Sequence, residues 1–238
     1  MPNTKIIEFA NLEKSDLFLD ALYKGGTKGN VSDDPISKLM GCGNQAGFRY
    51  VGSVKKKIKF CVLYSSLSNI DWPDKLDPEM GIFTYYGDNQ NPGHELHDTA
   101  RKGNLILKNT FDALHNKNRS IITPFFIFTK GPLGRDVYFR GLAVPGSPSM
   151  SNLDDLIAVW KTKDGHRFQN YRAEFSVLNE PVITRSWIND LLSGDLYSPN
   201  APRSWVEWSN KGKYDLLLAP KVKAHRTRKN RFHTIRSA

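Results

Sequence analysis

One stretch of the chain, residues 82–104, constrains the fold more than any other. It opens with the run Ile-Phe-Thr-Tyr-Tyr, continues through a polar segment with Gly, Pro and two His, and ends at Gly103-Asn104. An apolar and aromatic run predicts a strand. Beyond Gly103, Leu107, Phe111 and Leu114 follow the i, i+4, i+7 spacing of an amphipathic helix. A rigid strand and helix that flank a polar loop often present binding groups, so we take this loop as the candidate site.

The rest of the chain reads as a mixture of strands and helices. Alternation and β-propensity predict strands at 48–51, 58–64, 121–128, 136–144, 156–160 and 167–178. Apolar spacing and capping residues predict helices at 12–22, 35–40, 103–115, 183–192 and 202–208. Turn residues at 131–134 and 163–166 predict two hairpins. The pattern is typical of an α+β domain with a curved, mostly antiparallel sheet flanked by helices.

Composition sets the broad class. The chain has 238 residues with 39% hydrophobic content, which favours a globular domain with a real core. No apolar run is long enough for a membrane helix, and the first residues lack the apolar core of a signal peptide. Two cysteines fit a reducing compartment. We therefore expect a cytoplasmic protein without a membrane partner, with one domain over residues 1–220.

The net charge of +10 is concentrated in residues 221–238, which hold seven Lys and Arg and no acid. The remaining residues carry 27 basic and 24 acidic groups. The C-terminal segment can be read as a phosphate-binding arm or as a solvated, disordered end. Net charge alone is thus weak support for a nucleic-acid partner.

No complete catalytic site is predicted. A metal-dependent nuclease needs two carboxylates that share a metal beside the scissile phosphate, usually with a nearby Lys. Asp154, Asp155 and Glu174 lack such a Lys partner. His94 and His97 have the spacing of a metal pair but no third ligand in the pattern. The sequence therefore predicts no catalytic residue, no metal site and no cofactor.

An ordered set of short motifs resembles a known family. The motifs are Gly43-Asn-Gln with Gly47-Phe-Arg, Tyr85-Tyr-Gly-Asp-Asn with Pro92-Gly, Leu96-His-Asp-Thr with Gly103-Asn, Gly141-Leu-Ala-Val-Pro-Gly, Arg167-Phe-Gln-Asn-Tyr-Arg-Ala, Arg185-x-Trp-Ile and Pro202-x-x-Trp. Over about residues 35–220 the chain is similar to the N-terminal domain of AspBHI-type restriction endonucleases, which belong to the MspJI family of modification-dependent enzymes.

The resemblance implies an SRA-like fold, a curved sheet or open barrel related to PUA domains. It also implies that the chain reads 5-methylcytosine or 5-hydroxymethylcytosine in double-stranded DNA by base flipping. In that family a nuclease domain follows, whereas this sequence continues into its basic segment. The implied partners are modified duplex DNA, a nuclease domain or subunit, and possible further copies of the chain. Two alternatives stay open: a nuclease subunit or fragment whose cleavage domain is separate or missing, and an interaction module without a pocket.

The chain also resembles SRA proteins through a looser pattern, in which an aromatic residue and an acid precede a Phe-x-Tyr strand that ends in Gly. This resemblance implies a pocket formed by Trp72 and Asp74 with Tyr85 and Tyr86. Trp72 and one tyrosine are expected to stack on a flipped base. Cytosine's exocyclic amine is a donor, so a carboxylate can select it. Asp74 is the first choice for this acid and Asp88 the second. Asp71 and Asp77 also remain candidates.

Extruding a base costs a few kcal/mol, so contacts to phosphates must offset it. Arg101 and Lys102 supply charge, and Gly103 and Asn104 are expected to supply free backbone N–H groups at a helix start. Plainer roles are also possible. One of the two adjacent tyrosines must face the core, Trp72 can simply close an apolar cluster, and Asp88 can cap a turn.

Overall fold

The computed structural model describes residues 4–220. The strands are Ile6–Ile7 (β1), Leu17–Phe18 (β2), Leu22–Tyr23 (β3), Phe48–Gly52 (β4), Ile58–Ser65 (β5), Lys75–Asp77 (β6), Ile82–Tyr86 (β7), Phe125–Lys130 (β8), Val137–Pro145 (β9), Leu156–Lys163 (β10), His166–Val177 (β11) and Val182–Ile183 (β12). The α-helices are Pro35–Met40 (α1), Gly103–His115 (α2), Arg185–Ser193 (α3) and Arg203–Lys211 (α4). Short 3-10 helices cover Phe9–Lys14, Val31–Asp33 and Arg119–Ile121.

Ten strands form one sheet with the central order β4-β5-β8-β9-β11-β7-β6, onto which β10, β3 and β1 add. Pairing is antiparallel except between β5 and β8 and between β1 and β3. Within the described chain the two ends of the path, β4 and β6, do not pair with each other, so the sheet stays open. The expected α+β class with a mostly antiparallel, open sheet is confirmed.

The centre of the sheet is buried on both faces, and strand β8 shows why. Successive side chains of a strand point to opposite faces. Phe126 and Phe128 join the apolar cluster that contains the tryptophans of α3 and α4. Phe125 and Ile127 join the cluster that contains the apolar side of α2. A continuous apolar run is therefore needed here, because neither face of this strand meets water.

The helix boundaries follow the capping residues of the sequence. Asp34 accepts a hydrogen bond from the Ser37 amide at the start of α1, and Gly41 ends this helix in the left-handed region at φ 64°. Thr184 caps α3 in the same manner. Ser, Thr, Asp and Asn caps satisfy N–H groups that the helix cannot pair itself, and glycine ends a helix without steric cost. The predictions for α1, α2, α3 and α4 are confirmed.

The predicted helix at residues 12–22 is wrong. The segment holds the end of a 3-10 helix and the short strands β2 and β3, which pair with β12 and β9 respectively. Leu17 and Leu22 are buried in these strands, and Leu12 is buried in the 3-10 helix. Strand contacts from distant parts of the chain have overridden a weak local helix pattern.

Two further predictions concern the basic C-terminal segment and membrane-spanning helices. The basic segment at residues 221–238 lies outside the described residues. None of the described helices combines the length and apolarity required to cross a bilayer.

Candidate nucleic-acid interface

The polar loop between β7 and α2 begins at a glycine that nothing larger could replace. A Cβ atom on Gly87 would lie 1.8 Å from Asn104 Oδ1 and 2.7 Å from Asn170 Oδ1, far inside contact distance. Gly87 also accepts a hydrogen bond from Asn170 Nδ2 at 3.0 Å through its carbonyl. The close approach of two buried amides thus explains the break that follows the aromatic strand.

Asp88 binds the start of α2. Its Oδ2 accepts hydrogen bonds from Thr99 Oγ1 at 2.7 Å and from the Gly103 amide at 2.9 Å, and its Oδ1 accepts from the Asn104 amide at 2.9 Å. These are the N–H groups that a helix leaves unpaired at its start. The expectation that Gly103 and Asn104 offer free amides to a phosphate is therefore wrong, because Asp88 already occupies both.

Three buried asparagines hold the loop in place. Asn104 Nδ2 donates to Leu96 O at 2.9 Å and to Asn170 Oδ1 at 3.0 Å. Asn89 Nδ2 donates to Gln169 O at 2.9 Å. All three asparagines are at most 2% exposed. The side chain of Asn104 therefore serves the loop rather than a phosphate, and the side chain of Asn170 holds the same loop.

The two basic residues of the loop differ in availability. Arg101 is exposed and lines a cavity of about 320 Å³ together with Ala46, Asp88 and Asn89. Lys102 lies at the helix start in the left-handed region and pairs with Asp98 one turn back. Arg101 is therefore the better placed of the two for contact with an external anion.

Trp72 and Tyr86 are brought together on one face of the sheet. Their ring centroids are 5.6 Å apart with planes tilted by 51°. Trp72 also packs against Phe168 at 6.0 Å and is only 3% exposed. Rings at this distance are in mutual contact. The expected sandwich of a base between Trp72 and a tyrosine is thus closed in this structure.

Tyr85 lies on the opposite face, as alternation along a strand requires. It is 3% exposed and packs against Phe48 and Phe83 in the cluster under α2. Burial raises the pKa of Tyr85 well above its usual value of 10.0, and the nearby charges of Asp74 and Asp88 act in the same direction. Tyr85 therefore lies between the two acids but within the core, which is the role foreseen for one of the two tyrosines.

Asp74 is a partly buried acid at the edge of β7. Its Oδ1 accepts a hydrogen bond from the Tyr86 amide at 2.8 Å. Burial raises the pKa of Asp74 from 3.8 to about 6, while hydrogen bonds from Ser65 and Tyr86 oppose the shift. Such a shift marks a carboxyl that the protein removes from water at a specific place, which is a feature of binding and catalytic sites.

The other two candidate acids are engaged elsewhere. Asp71 is highly exposed and pairs with Lys161 at 3.1 Å. Asp77 pairs with Lys75 at 2.9 Å and accepts hydrogen bonds from the amides of Glu79 and Met80. Asp74 and Asp88 are thus both partly buried and without a basic partner among the described ion pairs, but the carboxylate of Asp88 is already engaged by the start of α2, which leaves Asp74 as the better candidate.

The antiparallel ribbon formed by β10 and β11 is the part of the surface that sequence reasoning missed. Its turn, at Asp164 and Gly165, has positive φ at both residues, which is the geometry of a type I′ hairpin. Trp160 is 56% exposed, and the Arg167 guanidinium lies 4.7 Å from its ring centroid. The signal was an aromatic residue at the point where the strand changes from apolar to polar residues, with basic residues on both sides of the turn that follows.

The ribbon is tied to both loops of the candidate site. Lys161 Nζ lies 4.7 Å from the Trp72 ring centroid as well as bonding to Asp71. Lys163 Nζ donates to Asn91 Oδ1 at 2.7 Å in the loop that follows β7. The basic ribbon, the aromatic pair and the asparagine-bound loop therefore form one continuous surface.

A second open cavity of about 620 Å³ borders the first at Ala46 and is lined in part by Gln45, Tyr64 and Arg135. The loop that separates the two cavities approaches Tyr85, since a Cβ on Gly47 would lie 3.1 Å from the Tyr85 hydroxyl. Among residues 4–220, no group of three or more His, Cys, Asp and Glu side chains is placed to hold a metal ion.

Comparison with known proteins finds a matching family and solved structures of the same architecture. The family model described as restriction endonuclease AspBHI N-terminal matches residues 17–220. The DNA recognition domain of the cytosine modification-dependent restriction endonuclease LpnPI is 48% identical, with a TM-score of 0.86, over 94% of this chain and all of that one. The DNA modification-dependent restriction endonuclease AspBHI is 42% identical, with a TM-score of 0.86, over 91% of this chain and all of the matched chain.

A more distant structure supports the fold alone. The MspJI restriction endonuclease in complex with a 27-mer oligonucleotide is 19% identical, with a TM-score of 0.61, over 88% of this chain and 56% of that one. No curated protein sequence matches the chain.

The open sheet, its covering helices and the loops at one edge define a recognition domain of the kind found in modification-dependent restriction endonucleases. The chain belongs to the AspBHI N-terminal family of these domains, because the family model covers most of its length.

Proposed function

We propose that the chain reads modified cytosine in duplex DNA by taking the base out of the helix into the site around Asp74. Relatives with 48% and 42% identity are named for cytosine- or DNA-modification dependence, which supports a common task. The observation that carries the proposal is the Asp74 carboxyl, held by the Tyr86 amide at 2.8 Å and partly withdrawn from water. A base inside a duplex cannot reach such a group, so extrusion is required.

The role of Asp74 follows from hydrogen-bonding capacity. Its Oδ1 accepts the Tyr86 amide. The carboxylate has lone pairs left for a further donor, and the exocyclic amine of cytosine is a donor where thymine has an acceptor. Asp74 thus favours cytosine, modified or not. Discrimination of the C5 substituent is assigned to the fit of the side chains that would surround the extruded base and is worth roughly 1–3 kcal/mol for a single methyl group.

The aromatic residues are assigned different tasks. Tyr86 is partly exposed and can stack on a base from one side, with Trp72 packed behind it. Tyr85 supports the floor from within the core, beside Asp74 and Asp88. Stacking on one aromatic face contributes about 1–3 kcal/mol per base.

Contacts to the DNA backbone are assigned to Arg101, to Lys102 and to the ribbon of β10 and β11. The major groove of B-DNA admits a two-stranded β-ribbon. The exposed Trp160–Arg167 pair at the end of this ribbon is suited to enter a groove next to the extruded base. The contact with the ring orients the planar guanidinium, which reduces the entropy lost on binding.

The proposed function also implies a source of cleavage, a cellular location and a state of assembly. Cleavage is assigned to a nuclease domain or subunit distinct from the described residues, and the protein is expected in the cytoplasm, where it meets foreign DNA. Self-association into a homo-oligomer is expected to place two reading sites on one DNA, and sedimentation at several protein concentrations measures it.

Binding to three duplexes tests the proposal. The duplexes share one sequence and carry cytosine, 5-methylcytosine or 5-hydroxymethylcytosine at the central position, and all gel shifts are run at one stated salt concentration. We expect roughly tenfold or greater preference for at least one modified duplex. A fluorescent cytosine analogue at the same position should brighten as it leaves the stack. Equal affinity for all three duplexes would refute modified-base reading, and an unchanged fluorescence would refute extrusion.

Truncation of the exposed ribbon tryptophan tests the DNA-facing surface. Trp160→Ala should weaken binding to modified and unmodified duplexes alike by roughly tenfold, because the ribbon is assigned to the DNA groove and not to the extruded base. The preference for modified DNA should persist. Fluorescence anisotropy with both duplexes measures the two quantities separately.

Leu153→Ala is the matched control for this variant, since Leu153 is 86% exposed and lies outside the ribbon. It should leave both affinities unchanged. If Trp160→Ala binds as the unaltered protein does, DNA does not lie against the ribbon.

A further inference from the structure

A separate cavity lies at the C-terminal end of α2, away from the loop between β7 and α2. Helix α2 spans 13 residues, so its ends are about 20 Å apart at 1.5 Å per residue. A cavity of about 210 Å³ at its C-terminal end is lined by His115, Lys117, Arg119 and Asp155, with Ser147 and Asn152 at its margin. None of these residues takes part in the proposed reading of a base, so a binding site in this cavity does not depend on that proposal.

Arg119 is the unexplained group in this cavity. Its Nε is buried and has no hydrogen-bond partner among residues 4–220. Leaving a buried charged donor unpaired costs more than the roughly 1–3 kcal/mol of a neutral one. Residues 1–3 and 221–238 contain no Asp or Glu, so no side-chain carboxylate from those segments can satisfy it. The missing acceptor therefore comes from outside the chain's own acidic side chains.

The guanidinium of Arg119 is held in position rather than free. It packs flat on Gly212, the residue that ends α4 at φ 65°. A Cβ on Gly212 would lie 2.9 Å from Arg119 Cζ and 3.1 Å from Nη2. The absence of a Cβ at Gly212 leaves room for this approach, and the contact with the Gly212 backbone limits the positions that the guanidinium can take.

The single acid in the lining does not neutralise Arg119. Asp155 is 3% exposed and faces His115, whose Nε2 lies 2.9 Å from Oδ1 and 3.2 Å from Oδ2. Lys117 adds a second cation at the rim of the same cavity. The lining thus combines a guanidinium, an ammonium group and nearby hydroxyl and amide groups, and its one carboxylate is hydrogen-bonded to His115.

We propose that this cavity binds a phosphate group, with Arg119 as the principal ligand and Lys117 as its cationic neighbour. A planar guanidinium with an oriented set of donors matches the oxygens of phosphate, and charge-assisted hydrogen bonds of this kind are about twice as strong as neutral ones. The phosphate can come from a small phosphate ion or ester, or from the backbone of DNA.

Nuclear magnetic resonance of the whole protein tests the site directly. The Nε–H signal of Arg119 is assigned by its absence from Arg119→Gln, and inorganic phosphate is then added against chloride at constant ionic strength. We expect a saturable shift of this signal and a phosphate-dependent rise in the thermal midpoint. Arg119→Gln should weaken phosphate binding at least tenfold, and Arg119→Lys, which keeps the charge but loses the fork, should weaken it less.

Arg203→Gln is the matched control, because the Arg203 side chain is 88% exposed on α4 and away from the cavity. It should leave phosphate binding unchanged. A short unmodified duplex that displaces phosphate from Arg119 identifies the DNA backbone as the source, and a duplex that does not displace it leaves the small ion or ester. The proposal is overturned if the Arg119 signal responds equally to chloride or acetate, or if Arg119→Gln binds phosphate as tightly as the unaltered protein.

Discussion

Asp74→Ala should abolish most of the protein's preference for 5-methylcytosine over thymine at the extruded position. Both bases carry the C5 methyl group, so they differ mainly in the amine that the Asp74 carboxylate is proposed to accept. Hydrogen bonds to charged groups contribute about 1.5–3 kcal/mol, which corresponds to roughly a 10- to 150-fold loss of selectivity. Competition between two duplexes that differ only in a 5-methylcytosine·guanine or a thymine·adenine pair measures this ratio.

Asp77→Asn is the control for that experiment. Asp77 is a neighbouring acid on β6 whose carboxylate is engaged by Lys75 and by turn amides. It should leave the ratio unchanged. An unaltered ratio in Asp74→Ala would show that another group recognises the amine.

The same acid should make stability depend on pH. The pKa of Asp74 is raised from 3.8 to about 6 in the folded protein, so folding favours the protonated form. Its contribution to stability is full below about pH 4 and is lost as the pH rises through about 6. The loss is on the order of 1–3 kcal/mol. Asp74→Asn should therefore be more stable than the unaltered protein at pH 8 relative to pH 4, while it binds modified DNA less selectively.

Urea unfolding of both proteins at the two pH values measures this difference. If the two stability profiles run parallel, burial does not perturb Asp74 as described. If Asp74→Asn gains stability and loses selectivity, the buried carboxylate of Asp74 lowers the stability of the fold while it contributes to recognition.

Asp88→Ala should destabilise the fold by roughly 3 kcal/mol without a selective effect on the modified base. The change leaves three donors near the start of α2 without their acceptor: the Thr99 hydroxyl and the amides of Gly103 and Asn104. Loss of a helix cap alone costs about 0.5–2 kcal/mol, and each further unsatisfied buried donor adds to it. Urea denaturation followed by circular dichroism gives the free energy of unfolding.

Asp98→Ala provides the comparison, since Asp98 is an exposed acid in the same loop that pairs with Lys102 one turn away. Its removal should leave the free energy of unfolding nearly unchanged, because an exposed ion pair contributes little to stability. If the Asp88→Ala protein has normal stability but has lost its preference for 5-methylcytosine over thymine, Asp88 and not Asp74 is the acid that recognises the base.

The secondary structure was predictable wherever a strong local signal existed. Asp34, Thr184 and the glycines that follow α1 and α3 mark helix ends through local hydrogen bonds and backbone geometry, and these helices form where the sequence predicts. Residues 12–22 lack such caps. Pairing of β2 with β12 and of β3 with β9 decided their conformation, and those partners lie more than 100 residues away.

The residue types of the site were predictable from the sequence, but the role of each residue was not. The sequence pointed to aromatics and acids on either side of β7. It did not distinguish the partly buried Asp74 from Asp88, which caps α2, because the difference lies in contacts with Ser65, Gly103 and Asn104. It also missed the exposed Trp160–Arg167 pair, since exposure is a property of the folded surface.

By itself the sequence determined the α+β class, the strand–loop–helix unit at residues 82–104 and membership in a family of recognition domains, because periodicity, caps and motif order are written along the chain. Only the tertiary structure decided which groups meet. It closed Trp72 onto Tyr86, moved Tyr85 into the core, used Asn104 and Asn170 to hold the loop, and left the buried Nε of Arg119 without an acceptor among residues 4–220. The physical reason is that hydrogen bonding and burial depend on neighbours in space, and these neighbours come from distant parts of the chain.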